Sequence, residues 1–392
     1  MIASKASPNK IREVKIAAVK REITAGHLLQ RRSTQAQGAL PQPPDRTQSV
    51  LILPSRYLFA SRRQSCHDFA KGAQQRGAAY QDVLAARYGK VKNLADFVRK
   101  GQLMNYEAYR AMYEGREAAL FAPTTAVITW MSNPAQPSFV WQLYHYDLEA
   151  NASLYAVKKA CEQVHVMLNE ATGELLVVNE LAKPVDGAVA KVTIYDMDGD
   201  VKYQRQSSII VAADATTSAG KVELPDDLSS VYFVKLELCD AEGKLVSDNF
   251  YWCALPEHED DLTALDSMTT VNLEARVSRK DVAGESLVLK NPTTHVALMT
   301  HLQLRRKTGE RVLPVFASDN YVSLVGGESR TITLEAATKD LHGEGVAVVV
   351  DGWNVSAGDS KGAGVTLSEN VDARVSHWPV TGLPLATKGL RD

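Results

Sequence analysis

Ala190-Lys-Val-Thr-Ile-Tyr195-Asp-Met-Asp-Gly199 carries the period that decides the fold. Ala190, Val192 and Ile194 alternate with Lys191, Thr193 and Tyr195, which puts apolar side chains on one face of an extended segment and polar ones on the other. Asp198-Gly199 then reads as a hairpin turn. Downstream, Val234, Leu236 and Leu238 alternate with Lys235 and Glu237 in the same way. About seven short strands fit between 165 and 254, the number expected of an immunoglobulin-like sandwich.

An acidic linker, Pro256-Glu-His-Glu-Asp-Asp261, ends this unit. A second strand set opens at Val271, Leu273, Ala275 and Val277 and runs through Leu302/Leu304, Val312–Phe316, Arg330–Leu334 and Val346–Val350. It predicts a second sandwich over 266–357. The two units share an echo, Ser247-Asp-Asn-Phe250 and Ser318-Asp-Asn-Tyr321. An Asp-Asn pair at a strand edge is expected to satisfy local backbone groups.

Upstream the period becomes helical. Tyr80, Val83, Leu84 and Tyr88 share a face, with Gly89 as C-cap. Asn93 reads as the N-cap of a long helix with a stripe at Leu94, Phe97, Val98, Gly101, Met104, Ala108, Ala111 and Met112, closed by Gly115. Glu107, Glu114 and Glu117 then fall on its solvated side, paired with Arg110, Arg99 and Arg116. Ser153–Glu162 reads as another helix. Between them, Thr125-Ala-Val-Ile-Thr-Trp130-Met-Ser-Asn-Pro134 is an apolar run ending in an indole and a proline-punctuated loop, continued by Phe139-Val-Trp141-Gln-Leu-Tyr144. A buried strand delivering an aromatic platform to a site has this form, because an indole suits the apolar face of a sugar ring. A core tryptophan explains the spacing equally well.

Composition narrows the function classes. The 392 residues carry a formal net charge of −2 and 45% apolar residues, enough for several cores. That balance gives no reason to expect nucleic acid or a membrane as partner. Residues 1–66 hold 12 Lys/Arg against 3 Asp/Glu and form a basic, largely disordered arm foreign to the downstream domains. The Gly/Ser/Lys-rich stretch 358–392 reads as a flexible tail. Cys66, Cys161, Cys239 and Cys253 show no metal or redox spacing, and neither cofactor nor metal is expected. No apolar run has transmembrane length and no apolar h-region follows Met1, which makes the cytoplasm the default expectation. No Walker loop, nucleophile elbow or HExxH is present. His67-Asp68 reads as a capping pair. His145 and Asp147 lie in the loop after Trp130, where a barrel presents its site, and can contact a ligand there.

Residues 67–357 carry a resemblance. Ala95-Asp-Phe-Val-Arg-Lys-Gly-Gln-Leu-Met-Asn-Tyr-Glu-Ala-Tyr-Arg-Ala-Met-Tyr-Glu114, Trp130-Met-Ser-Asn133, Trp141-Gln-Leu-Tyr144 and Lys158-Lys-Ala-Cys-Glu162 before Val164-His-Val166 resemble glycoside hydrolase family two. The similar branch is that of exo-β-D-glucosaminidases and β-mannosidase-like enzymes. Ser318-Asp-Asn-Tyr321, Gly327-Glu328 and Asp351-Gly-Trp-Asn354 look like its last immunoglobulin-like domain. The resemblance implies a mixed fold: a C-terminal TIM (β/α)8 barrel remnant over 67–163, a sandwich over 164–254 and a second over 266–357. It implies a β-linked glycoside or oligosaccharide as substrate. Trp130, at the end of barrel strand eight, would stack on the sugar, with Asn133 and Trp141 at the rim.

Retaining glycosidases use two carboxylates about 5 Å apart. In the family these follow barrel strands four and seven, upstream of the matching region. Glu13, Glu22 and Asp45 lie in the arm and match neither, so no catalytic residue is assigned and the chain alone is expected to be inactive. Gln163 replaces the proline usual before Val-His. An unclosed barrel leaves apolar faces open, which predicts poor solubility for 67–165. Two other readings stay open: a non-catalytic carbohydrate-binding or structural module, and one half of a split enzyme completed by the missing N-terminal half.

Overall fold

The computed structural model describes residues 74–120, 126–129, 132–134, 142–258, 260–279, 285–341 and 346–356. The arm expected over 1–66, the pair His67-Asp68 and the tail over 358–392 lie outside these residues.

The first sandwich has strands β1 (Val164–Asn169), β2 (Glu174–Asn179), β3 (Val185–Tyr195), β4 (Val201–Val211), β5 (Ala215–Lys221), β6 (Val231–Cys239) and β7 (Leu245–Ala254). They form two antiparallel sheets, ordered β1-β2-β5 and β4-β3-β6-β7. The period-two pattern sets the register: Val192 faces Leu236 and Ile194 faces Val234. These side chains meet Val166, Leu175 and Val177 of the opposite sheet in a closed core. The β3–β4 turn needs its glycine. Gly199 has φ +92°, and a Cβ there would lie 2.5 Å from the Thr294 carbonyl. The hairpin tip is therefore pressed against the second sandwich.

The second sandwich comprises β8 (Glu274–Arg279), β9 (Glu285–Lys290), β10 (Ala297–Arg306), β11 (Phe316–Ala317), β12 (Val322–Leu324), β13 (Ser329–Glu335) and β14 (Val346–Asp351). Its sheets are ordered β12-β10-β14 and β11-β13-β9-β8. Leu289, Leu302, Val322, Leu324 and Ile332 fill its core.

Ahead of the sandwiches lie α1 (Gln74–Tyr88), α2 (Leu94–Glu117) and α3 (Ala152–Ala160). Gly89 ends α1 at φ +79°. Asn93 Oδ1 accepts the Asp96 amide at 3.0 Å and starts α2. The buried Lys100 ammonium donates to the carbonyls of Gly89 and Lys90, both at 3.1 Å, placing a cation at the C-terminus of α1.

Three expectations for this region need correction. First, α2 runs two residues past Gly115, to Glu117. Second, its apolar stripe holds only in the first half. Phe97, Gly101 and Met104 are buried, but Ala108 and Ala111 are exposed, and the buried face continues through Tyr109, Arg110, Glu114 and Glu117. Third, the described residues Ala126–Thr129 form no strand, and Ile128 is 87% exposed. Among the described residues no strand pairs with this run, and a strand needs one to satisfy its backbone groups.

The helical layer packs against both sandwiches. Leu84, Tyr88, Phe97 and Met104 share one core with Phe233 and Trp252 of the first sandwich and Leu298, Tyr321 and Trp353 of the second. This apolar face of α1 and α2 is covered by both sandwiches.

Candidate functional site

Of the residues expected to meet a sugar, Trp130 and Trp141 lie outside the described residues, and Asn133 is exposed. Asn133 Oδ1 accepts the Ser132 hydroxyl at 3.0 Å, and its Nδ2 lies 3.5 Å from the carbonyl of the buried Pro134. Tyr144 N donates to Ser132 O at 2.9 Å, which ties Ser132-Asn133 to the loop 142–151.

That loop carries His145, Asp147 and Glu149, whose ligand atoms lie within 4.8 Å of one another. The arrangement resembles a cation site, but a cation of the chain serves it. Arg311 Nη2 donates to Asp147 Oδ2 at 2.6 Å, and Arg311 Nη1 donates to Glu149 Oε2. Burial pushes the Glu149 carboxyl up, but His145 and Arg311 outweigh it and hold the carboxyl down at about 2. Glu149 is thus an anion at any ordinary pH and faces the second sandwich rather than a ligand.

A second polar cluster sits where the helical layer and both sandwiches meet. The two halves of the Ser-Asp-Asn echo come together there. Arg330 donates to Asp248 through Nη2 and to Asp319 Oδ2 at 3.2 Å through Nη1. Lys159 Nζ donates to Asp248 Oδ1 at 2.7 Å and to Glu162 Oε1 at 2.8 Å. The asparagines do what the pattern predicts. Asn320 Oδ1 accepts the Leu302 amide at 2.8 Å, and its Nδ2 donates to Leu302 O at 3.0 Å. The aspartates go further and pin the sandwiches together. The cavity between them is about 30 Å³, space for a water rather than a sugar ring.

The acidic residues of α2 contradict the solvated placement. Glu107 accepts the Tyr88 hydroxyl and pairs with Arg87 at 3.3 Å. Glu114 accepts from Asn249 Nδ2 at 2.7 Å and from the Tyr251 hydroxyl at 2.9 Å, and it lies 3.2 Å from His165 Nε2. Glu117 is buried and pairs with Arg116. Burial pushes its carboxyl above the ordinary value, against the pull of Arg116. A helical wheel of apolar residues misses this face because it counts Arg110, Glu114 and Glu117 as solvent-facing. Glu107, Glu114 and Asp248 are each engaged by a cation or hydroxyl of the chain.

Comparison with known proteins places these elements. The profile of the exo-β-D-glucosaminidase Ig-fold domain matches residues 249–355, and that of the mannosidase Ig/CBM-like domain matches 172–258. The exo-β-D-glucosaminidase of Streptomyces avermitilis is 37% identical over 306 residues, covering 71% of this chain and 34% of that protein. The exo-β-D-glucosaminidase of Amycolatopsis orientalis is 32% identical over 324 residues, 75% of this chain and 31% of that protein. The chain thus spans about a third of these relatives' length. The crystal structure of the A. orientalis exo-chitosanase superposes with a TM-score of 0.67 at 31% identity, covering 71% of this chain and 36% of that one. A β-D-mannosidase from Dictyoglomus thermophilum shares the fold at 19% identity, with a TM-score of 0.58 over 75% of this chain and 34% of that one.

Proposed function

The chain belongs to the exo-β-D-glucosaminidase and β-mannosidase branch of glycoside hydrolase family two, as a counterpart of its C-terminal part, and we propose from that premise that it serves hydrolysis of a β-glucosaminide or related β-glycoside without supplying the catalytic carboxylates. Residues 67–163 are, in this reading, the end of a barrel. Trp130 is the sugar-stacking platform, Asn133 and Trp141 stand at its rim, and the remaining barrel with its two carboxylates is the partner of this chain. One observation carries the reading. The helical layer shares a core with both sandwiches, and the likeness to exo-β-D-glucosaminidases extends over 306 residues, farther than either sandwich alone. A module made only of sandwiches gives no reason for that layer to persist.

Titration calorimetry of the purified chain with D-glucosamine and D-mannose tests the proposal. Heat of binding is expected for D-glucosamine, with affinity about fivefold to tenfold weaker in Trp130→Ala, the scale of one aromatic contact. Binding of neither sugar would favour the purely structural module.

A further inference from the structure

Two kinds of contact hold α2. Phe97, Leu103 and Met104 of its first half enter the apolar core shared with both sandwiches. Its last turns meet the first sandwich through polar groups. Arg110 Nη1 donates to Phe250 O, and the guanidinium lies 3.9 Å from the centre of the Tyr251 ring. Arg116 Nη1 donates to Glu180 Oε1 at 2.5 Å, and Thr216 Oγ1 donates to Glu117 O at 2.9 Å. Glu114 is the hub, because Asn249, Tyr251 and His165 converge on it.

His165 is buried on β1 between two carboxylates. Nε2 lies 3.2 Å from Glu114 Oε1, and Nδ1 lies 3.5 Å from Glu162 Oε2. Only an imidazolium donates from both nitrogens; a neutral ring turns a lone pair towards one of the carboxylates. A substitute partner for that lone pair is in place. Asn249 Nδ2 lies 3.4 Å from His165 Nε2 and 2.7 Å from Glu114 Oε1. The same amide can serve Glu114 when Nε2 carries a proton, and Nε2 when it does not. The other titratable and charged groups around the ring come from every neighbouring element. Arg110 and Glu117 belong to α2, and Arg116 bridges Glu117 to Glu180 at the end of β2. Lys159 of α3 stands between Glu162 and Asp248, and the Tyr251 hydroxyl comes from β7. Burial pushes the imidazole down, but the bonds to Glu114 and Glu162 outweigh it and hold it above its ordinary value.

We propose that His165 is a proton-operated latch for the end of α2: the doubly protonated ring ties Glu114 to β1, and loss of the Nε2 proton to solvent hands that nitrogen to Asn249 and loosens residues 109–117 from the first sandwich. The first half of α2 stays docked, since hydrocarbon holds it. A group raised by folding contributes fully below its ordinary value and loses that contribution as pH passes the raised one. The latch is therefore closed below the ordinary histidine value of 6.5 and opens on the alkaline side.

Backbone hydrogen exchange of the full chain between about pH 5.5 and about pH 9 tests it, read as protection factors so that the base catalysis of exchange itself drops out. Protection over 109–117 is expected to fall about tenfold across this window, while 97–104 and the β3 and β6 amides keep theirs. In His165→Gln, whose amide takes up no proton, that pH dependence should vanish. A fall shared by 97–104 overturns the latch in favour of general loosening. A fall that survives in His165→Gln assigns the titration to another group, Glu117 foremost, and overturns it as well. The imidazole nitrogen resonances of the unmutated chain give a readout that needs no variant. Nε2 should lose its proton with the same midpoint as the protection, and Nδ1 should keep its own. Loss from Nδ1 first, or no titration of His165 in the window, overturns the proposal.

Discussion

Replacing Glu114 by alanine is expected to destabilise the chain by about 3–5 kcal/mol, the cost of breaking a buried ionic network from one side. Glu114 is buried on α2 and accepts from groups on two strands: Asn249 and Tyr251 of β7, with His165 of β1 at 3.2 Å. Arg110 stands 3.9 Å away on the preceding turn. Without the carboxylate, Arg110 and His165 remain buried with one anion fewer, and the Tyr251 hydroxyl loses its acceptor. Glu114→Gln should cost less, because an amide oxygen still accepts.

The same network sets a pH dependence. Burial alone would push the His165 imidazole down, but its bonds to Glu114 and Glu162 reverse this and raise it above the ordinary 6.5. The protonated form is therefore favoured by folding. Its contribution is complete below 6.5 and is lost as pH rises through the higher folded value. Urea midpoints across pH 5 to 9 check both points, where about 5 and about 9 bracket the ordinary histidine range. An unchanged midpoint for Glu114→Ala would contradict the network.

Trp353→Ala is expected to cost a comparable amount, about 3–5 kcal/mol for a buried large aromatic. The indole is 3% exposed and sits between the helical layer and the second sandwich. Its Nε1 donates to Leu265 O at 2.8 Å, the Arg99 guanidinium lies 4.2 Å from the ring, and Arg99 Nη1 donates to Trp353 O at 2.7 Å. Truncation removes the wedge joining α1 and α2 to the sandwich. Melting temperature should drop sharply, and limited proteolysis should cut within 74–117 before it cuts the sandwiches. Val98, 45% exposed on the outer face of α2, is the control; Val98→Ala should stay within about 0.5 kcal/mol of the unmutated chain. Equal losses for both variants would show that the wedge is not special.

The strands were legible because burial on one face imposes a period of two, and Ala190–Ile194 obeys it against Val234–Leu238. The caps at Gly89 and Asn93 were legible because each is a local backbone requirement met by its own side chain or its absence. The second half of α2 was not, since it buries charge rather than hydrocarbon. The run Ala126–Thr129 was misread for a related reason: strand character depends on neighbours that a single segment does not reveal. Asp351-Gly-Trp-Asn354 carried the resemblance correctly, and the structure supplies its physics. A Cβ on Gly352 would press to 3.1 Å from two carbonyls, and Asn354 satisfies Leu298 N, Thr269 O and Val296 O. At the site, the echo of Asp248 and Asp319 was visible, but nothing in a lone sequence pairs both with Arg330, or Asp147 and Glu149 with Arg311.

Turnover of an aryl β-D-glucosaminide by the purified chain tests the central claim most directly. A chain that supplies the platform but not the carboxylate pair should show no hydrolysis above the uncatalysed rate. Turnover that a single Glu or Asp substitution within these residues abolishes would contradict it.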